Sequence, residues 1–176
     1  LLAALDEGYS PETNLNCTSK VKIGNWDVAN YGNANYGTRS IESAFAVSSN
    51  TGFAELCTEI GPDKVADMAH KCGIESDLES VPSITLGVEE VSVLEMAQAY
   101  ATIANGGTLH KANCIEEIKD SSGQVIYHAD TRGDKVLNTD LTQAAVEVME
   151  GVVQKGTGRN AALYNGQPVG GKTGTA

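Results

Sequence analysis

The sequence predicts a mixed domain of α/β or α+β class, with helices packed on an antiparallel sheet that is only partly present in this chain. Three observations predict it. Apolar residues recur at helical spacing through the middle of the chain, one of those stripes opens with an explicit capping signal, and strand-like runs gather late and end in an extended glycine-rich close.

Taken in order, Leu1 to Leu5 leading into Asp6-Glu7-Gly8-Tyr9 reads as the last turns of a helix ended by glycine. Ser10 to Thr38 is rich in Pro, Asn, Gly and Tyr, with only Val21 and Ile23 alternating as a short strand would, which predicts a long irregular surface segment. Arg39 to Ser48 reads helical through Ile41, Ala44, Phe45 and Val47, and Thr51 to Ile60 through Phe53, Leu56 and Ile60, with Ser48-Ser49-Asn50 at the joint. Pro62 suits the first position of a further helix that carries Val65, Met68, Ala69 and Cys72 on one face and closes at Gly73.

Ser92-Val93-Leu94-Glu95 is a capping box, in which the serine oxygen takes an orphan amide and the glutamate reaches back to the serine amide. The helix it launches runs through Met96, Ala97, Tyr100 and Ile103 and stops at Asn105-Gly106-Gly107. Ile115 to Lys119 and Gln124 to His128, joined by Asp120-Ser121-Ser122-Gly123, predict a hairpin. Thr139 is expected to cap a last helix with Leu141, Ala145, Val148, Met149 and Val152 on its buried side, and Gln167 to Ala176 is extended.

A chain of 176 residues, 41% of them hydrophobic, supports one core and not two. The 12 basic residues against 23 acidic ones give a net charge of -11, which argues against nucleic acid and anionic membranes as electrostatic partners. No stretch approaches the roughly 18 consecutive apolar residues of a membrane helix. The opening without Met and the close at Gly170-Gly171-Lys172-Thr173-Gly174-Thr175-Ala176 predict one partial domain over 1–176, cut at both ends. Cys17, Cys57, Cys72 and Cys114 form no C-x-x-C pair. Two readings stand for them: disulfides, with Cys57 and Cys72 the foremost pair, or buried free thiols. A zinc site on Cys57, His70 and Cys72 lacks a fourth ligand and a familiar spacing, so no metal or other cofactor is expected.

Two phrases could carry chemistry. Ser48-Ser49-Asn50 sets a hydroxyl and an amide at a helix joint, where the same residue types also serve as plain caps. Lys172-Thr173-Gly174-Thr175 offers a cation, two hydroxyls and a residue without a side chain on an extended segment, which suits a carboxylate-bearing peptide; the competing reading is a solvated edge strand. Gly166 to Thr173 also spells the phosphate-loop pattern G-x-x-x-x-G-K-[ST]. A helix must open at that lysine, however, and Gly174 disfavours one while Pro168 removes an amide. Ser19-Lys20-Val21-Lys22 spells S-x-x-K, but that pair needs a helical turn and this stretch reads as strand or loop.

S-x-N followed far downstream by K-T-G resembles the penicillin-binding proteins and serine β-lactamases. The likeness extends to Trp26-Asp27-Val28-Ala29-Asn30-Tyr31, Tyr36-Gly37-Thr38-Arg39, Leu86-Gly87, Glu90-Val91-Ser92, Met96 to Gly107, Val153 to Gly158 and Pro168 to Ala176, and is strongest to the bifunctional class A type. The resemblance implies acyl transfer: a serine attacks the D-Ala-D-Ala end of a peptidoglycan stem peptide, the terminal D-Ala leaves, and the acyl group passes to an amine of a neighbouring stem, while β-lactams mimic the dipeptide and stay attached. It implies that Ser48 relays a proton to the leaving nitrogen, Asn50 holds the substrate amide and the catalytic lysine, and Lys172 stabilises negative charge. Thr173 and Thr175 would bind the terminal carboxylate beside Gly174, and the Thr175 amide would form half of an oxyanion hole.

The same resemblance places the nucleophilic serine and its lysine just before Leu1, in a helix that Leu1 to Tyr9 would continue, so this polypeptide is expected to be inactive alone. It implies a membrane-anchored parent on the extracytoplasmic face of the bacterial cell, with a glycosyltransferase domain preceding this one. The alternatives are a non-catalytic sensor or binding module for peptides or β-lactams on the same fold, and a serine β-lactamase, which the class A-like middle of the chain disfavours.

Overall fold

In the computed structural model of the chain, residues 1–174 are described. The helices are α1 (Leu2–Asp6), α2 (Ile41–Ala46), α3 (Asn50–Ile60), α4 (Pro62–Lys71), α5 (Val93–Ala104) and α6 (Thr139–Lys155). The strands are β1 (Asn14–Cys17), β2 (Lys20–Ile23), β3 (Trp26–Ala29), β4 (Gly37–Ser40), β5 (Thr108–Leu109), β6 (Glu117–Lys119), β7 (Val125–His128) and β8 (Asp134–Lys135). The mixed class is as the sequence predicts. The single partial sheet is not: among the described residues the strands pair as separate two-stranded antiparallel ladders, β1 with β4, β2 with β3, β5 with β8 and β6 with β7. The expected close, residues 167–174, joins no ladder and lies along α6, where the Gly171 N–H donates to the Met149 carbonyl at 3.2 Å.

The segment from Ser10 to Thr38 is also more regular than its composition predicts. β1 alternates exposed Asn14 and Asn16 with buried Leu15 and Cys17, and its register sets Leu15 opposite Arg39. Asparagine is a poor strand former alone, and the cross-strand partner supplies what propensity lacks. Because Arg39 belongs to that ladder, α2 starts later than its apolar stripe suggests, at Ile41, with the Ser40 oxygen accepting from the Ser43 N–H at 3.2 Å.

One core joins these elements. Ala3 and Ala4 of α1, Leu15 and Cys17 of β1, Ile41 and Ala44 of α2, Phe53, Leu56 and Ile60 of α3, and Met68 of α4 are buried together. α6 packs against α1, α2 and α5 with Ala145, Val148, Met149, Val152 and Val153 inward, the three-and-four spacing of one helical face. Its cap is Asn138, which accepts from the Asp140 N–H at 2.8 Å; the expected cap, Thr139, instead donates its hydroxyl to the Gly106 carbonyl at 3.3 Å. All four cysteines are free thiols, three of them buried, so the Cys57–Cys72 pairing is not formed. The reading that holds is that of buried thiols for Cys17, Cys57 and Cys72, and desolvation pushes the Cys72 thiol up to about 11, which keeps it protonated.

The capping box at α5 is present and larger than its four letters. Glu95 accepts from the Ser92 N–H at 2.9 Å and hydroxyl at 2.7 Å, and also from the Glu75 and Ser76 amides at 2.9 and 2.8 Å. The helix start is thereby tied to the chain that leaves α4. These donors, the Ser92 hydroxyl foremost, lower the Glu95 carboxyl from its ordinary 4.5 to about 2. A depressed carboxyl contributes stability that is fully present above its unfolded value and is lost as pH falls through the folded one. Glu95→Gln is expected to lower the melting temperature at pH 7 and to remove part of the stability loss between pH 4.5 and 2; an unchanged melting profile over that range would contradict the assignment.

Candidate active site

The turn between α2 and α3 is short, and its three residues take different tasks. Ser48 adopts a left-handed backbone, φ 58°, a conformation that costs a residue with a Cβ roughly 1–2 kcal/mol. Its amide donates to the Phe45 carbonyl at 3.1 Å, and the Ser49 amide to Ala44 at 2.9 Å, so the end of α2 is closed. Ser49 is buried and caps α3, accepting from the Gly52 N–H at 3.2 Å. The capping reading of the S-x-N triplet therefore belongs to its middle residue. Ser48 and Asn50, on either side, remain half-buried at the edge of the turn, and the Asn50 side chain donates to the Ala29 carbonyl at 2.9 Å.

Behind the turn stands Asn30, to which the sequence assigns no role. It is only 2% exposed and its carboxamide is fully used. The Nδ2 group donates to the carbonyls of Thr18 and Ala34, both at 2.9 Å, and to Cys17 at 3.3 Å; the oxygen accepts from the Thr51 N–H at 3.1 Å and from the Ser49 hydroxyl at 3.3 Å. One side chain thus fastens the exits of β1 and β3 to the start of α3. Nothing in local spacing marks it, because its partners lie 12 to 21 residues away on either side, apart from Ala34.

Lys172 arrives from the other end of the chain. Its ammonium donates to the Ser48 hydroxyl at 2.7 Å across 124 residues of sequence, donates to the Thr173 carbonyl at 2.8 Å, and lies 5.6 Å from the centre of the Phe45 ring. Half-burial lowers its pKa below the ordinary 10.5, since losing water penalises the charged form. Among the described residues no carboxylate pairs with it. Thr173 and Gly174 are exposed beside it, and no described atom stands within 4 Å of where a Gly174 side chain would begin. Packing within the chain does not demand glycine there. Thr175 lies outside the described residues.

The structure thus brings Lys172 onto Ser48 with Thr173 and Gly174 beside it, while Asn50, two residues further on, has its side chain on the Ala29 carbonyl. The phosphate-loop spelling finds no helix at Lys172 among the described residues, and Lys20–Ile23 is strand, so Ser19 and Lys22 share no helical face. Chemically, an ammonium made more acidic by desolvation and donating to a hydroxyl can pass a proton through that hydroxyl, and its positive charge can draw an anion.

The fold is shared with solved penicillin-binding proteins. The PonA1 protein of Mycobacterium tuberculosis, solved in complex with penicillin V, superposes with a TM-score of 0.90 at 28% identity over 99% of this chain and 50% of that one. The D,D-transpeptidase domain of a peptidoglycan glycosyltransferase from Eggerthella lenta gives 0.83 at 28% identity over 100% of this chain and 51% of that one. Those neighbours define the class as a penicillin-binding, β-lactamase-like transpeptidase fold. The family described as penicillin binding protein transpeptidase domain matches residues 1–176, and the chain belongs to that family. Among its relatives, penicillin-binding protein 1A of Aquifex aeolicus is 32% identical over 99% of this chain, and that of Mycolicibacterium smegmatis 30% identical over 99%. The chain spans about a quarter of the length of the curated relatives it matches, 24% of each of these two.

Asn30→Ala would leave the Ala34 carbonyl and the Thr51 amide without their side-chain partner, and the Thr18 carbonyl with the Thr51 hydroxyl alone. A loss of about 2–3 kcal/mol in the unfolding free energy from denaturant titration is expected from unsatisfied buried groups, and a loss under about 1 kcal/mol would show that water replaces the carboxamide freely.

Proposed function

We propose that this chain is the part of a D-alanyl-D-alanine transpeptidase that carries the S-x-N turn and the K-T-G segment, and that the parent cross-links peptidoglycan stem peptides and is acylated by β-lactams. The observation that carries this reading is the 2.7 Å contact between Lys172 and Ser48. An ammonium has three hydrogens and no lone pair, so it is the donor in that contact. The hydrogen of Ser48 is then free to go to a leaving nitrogen, and Lys172, made more acidic by half-burial, can replace it. Proton delivery runs from Lys172 through Ser48 to the departing amine.

The remaining roles are those that the resemblance of the S-x-N and K-T-G motifs implies. The open charge of Lys172 attracts the substrate's terminal carboxylate, Thr173 and Thr175 take that carboxylate by hydrogen bonds, and Gly174 lets the substrate backbone lie close. Asn50, held by the Ala29 carbonyl, presents its amide oxygen to the substrate and to the catalytic lysine. The nucleophilic serine is not among the 176 residues: it belongs to an S-x-x-K helix that α1 continues, and its backbone amide joins that of Thr175 in the oxyanion hole. The parent is anchored on the extracytoplasmic face of the bacterial membrane, as the resemblance implies, and carries a glycosyltransferase domain, the latter supported by the naming of the Eggerthella lenta neighbour as part of a peptidoglycan glycosyltransferase. No helix of the described residues is long and apolar enough to cross a membrane.

The test is intact-protein mass spectrometry after benzylpenicillin treatment, on this 176-residue chain and on the longer protein that includes the helix before Leu1 and the residues past Ala176. One adduct on the longer protein, mapped to the upstream serine, and none on the shorter chain is the expected result. An adduct on any hydroxyl of residues 1–176 would overturn the assignment of the nucleophile. No adduct on either would favour a non-catalytic peptide-binding module. In the longer protein, Lys172→Ala is expected to slow acylation on the order of 10²-fold or more, the range of a positioned acid–base group, and a change under about tenfold would remove Lys172 from the proton path.

A further inference from the structure

Thr157 lies outside both motifs of the site, touches Thr173 of one and is bonded to the end of the helix that leads into the other. α6 ends at Lys155, and Gly156-Thr157-Gly158 turn the chain against the end of α2. The fit is close: a Cβ on Gly156 would stand 2.3 Å from the Ala46 carbonyl oxygen, and one on Gly158 3.1 Å from the Val152 side chain. Within that turn the Thr157 N–H donates to the Ala46 carbonyl at 3.0 Å, two residues before Ser48. The Thr157 hydroxyl lies 2.6 Å from the hydroxyl of Thr173, the residue after Lys172. Both threonines are exposed, so the pair stands where a ligand can reach it.

A threonine hydroxyl has one hydrogen and two lone pairs. When two such groups meet, one hydrogen is used between them and the other is left to point elsewhere. Thr157 is the fixed member of this pair, because its backbone is pinned between α2 and α6. Thr173 sits in a segment with neither helix nor strand, whose nearest backbone tether is the bond from Gly171 to Met149. We infer that Thr157 is a positioning residue: its hydroxyl donates to Thr173 and holds the Thr173 hydrogen turned outward, ready for the carboxylate of an incoming peptide or β-lactam. The identity of that ligand rests on the proposed function; the coupling of the two hydroxyls does not.

The test uses the full-length protein with Thr157→Ala, Thr157→Ser, Thr173→Ala and the double alanine variant, and compares acylation by benzylpenicillin with acylation by its methyl ester, which lacks the carboxylate charge. Thr157→Ala is expected to slow the acid about tenfold, the weight of one hydrogen bond to a charged group, and to leave the ester nearly unchanged, with Thr157→Ser restoring the rate. In the double variant, Thr157→Ala should add less than about twofold to the loss from Thr173→Ala, since the two act as one unit. Equal slowing of acid and ester, or additive losses, would mean that Thr157 only supports the fold and would overturn the inference. A second readout needs no reaction: the Thr173 side-chain rotamer, followed by methyl NMR, should be single in the native protein and averaged in Thr157→Ala. An unchanged rotamer would overturn the inference. If benzylpenicillin fails to acylate the native protein, the proposed function falls, and the rotamer decides the inference separately.

Discussion

The Asn30 carboxamide is the point at which the first third of the chain becomes a scaffold. Three carbonyls from the exits of β1 and of the turn after β3 converge on its nitrogen, and the start of α3 converges on its oxygen. Because the Asn30 carboxamide is itself buried and bonded on both sides, it holds these segments together as a unit. That fixity is what allows Ser48 to sit in a left-handed conformation: the strain in the turn is held by Ser49, locked beneath it by Asn30 and by its own cap of α3.

Upon that scaffold the site closes by long-range contacts from the far end of the chain. α6 is pressed against α2 by its apolar face and by the ion pair of Lys155 with Glu42, and the turn after α6 reaches the Ala46 carbonyl. Lys172 therefore comes to Ser48 on a path whose anchor points, Met149 and Thr157, belong to or directly follow one rigid helix. The exposed ion pair contributes little by itself. The desolvation of Lys172 over Phe45 matters more, because it converts an ordinary surface cation into a group that gives up its proton more readily.

How much of this could be read from the sequence depended on the range of the interaction. α5 and α6 were legible because capping and apolar periodicity are local, although the cap of α6 moved by one residue to a neighbour equally able to serve. β1 and β4 were hidden because Asn14 and Asn16 disguise the alternation of Leu15 and Cys17, and only the partner strand reveals it. The triplets at Ser48 and Lys172 were found as letters, but spacing could not separate the capping serine from the one that meets the lysine. Asn30 and Thr157 stand within phrases that resemble the family, but they act through partners distant in sequence, so local spacing gives neither a role.

The central claim is that Lys172 is an ammonium made more acidic by desolvation and held on Ser48. The direct measurement is the titration of the Lys172 side chain by NMR, in the native protein and in Ser48→Ala. The account predicts a midpoint below the ordinary 10.5, set by desolvation. A midpoint at or above that value would place the ammonium in open water or beside an anion, and would contradict both the geometry and the proton path drawn from it.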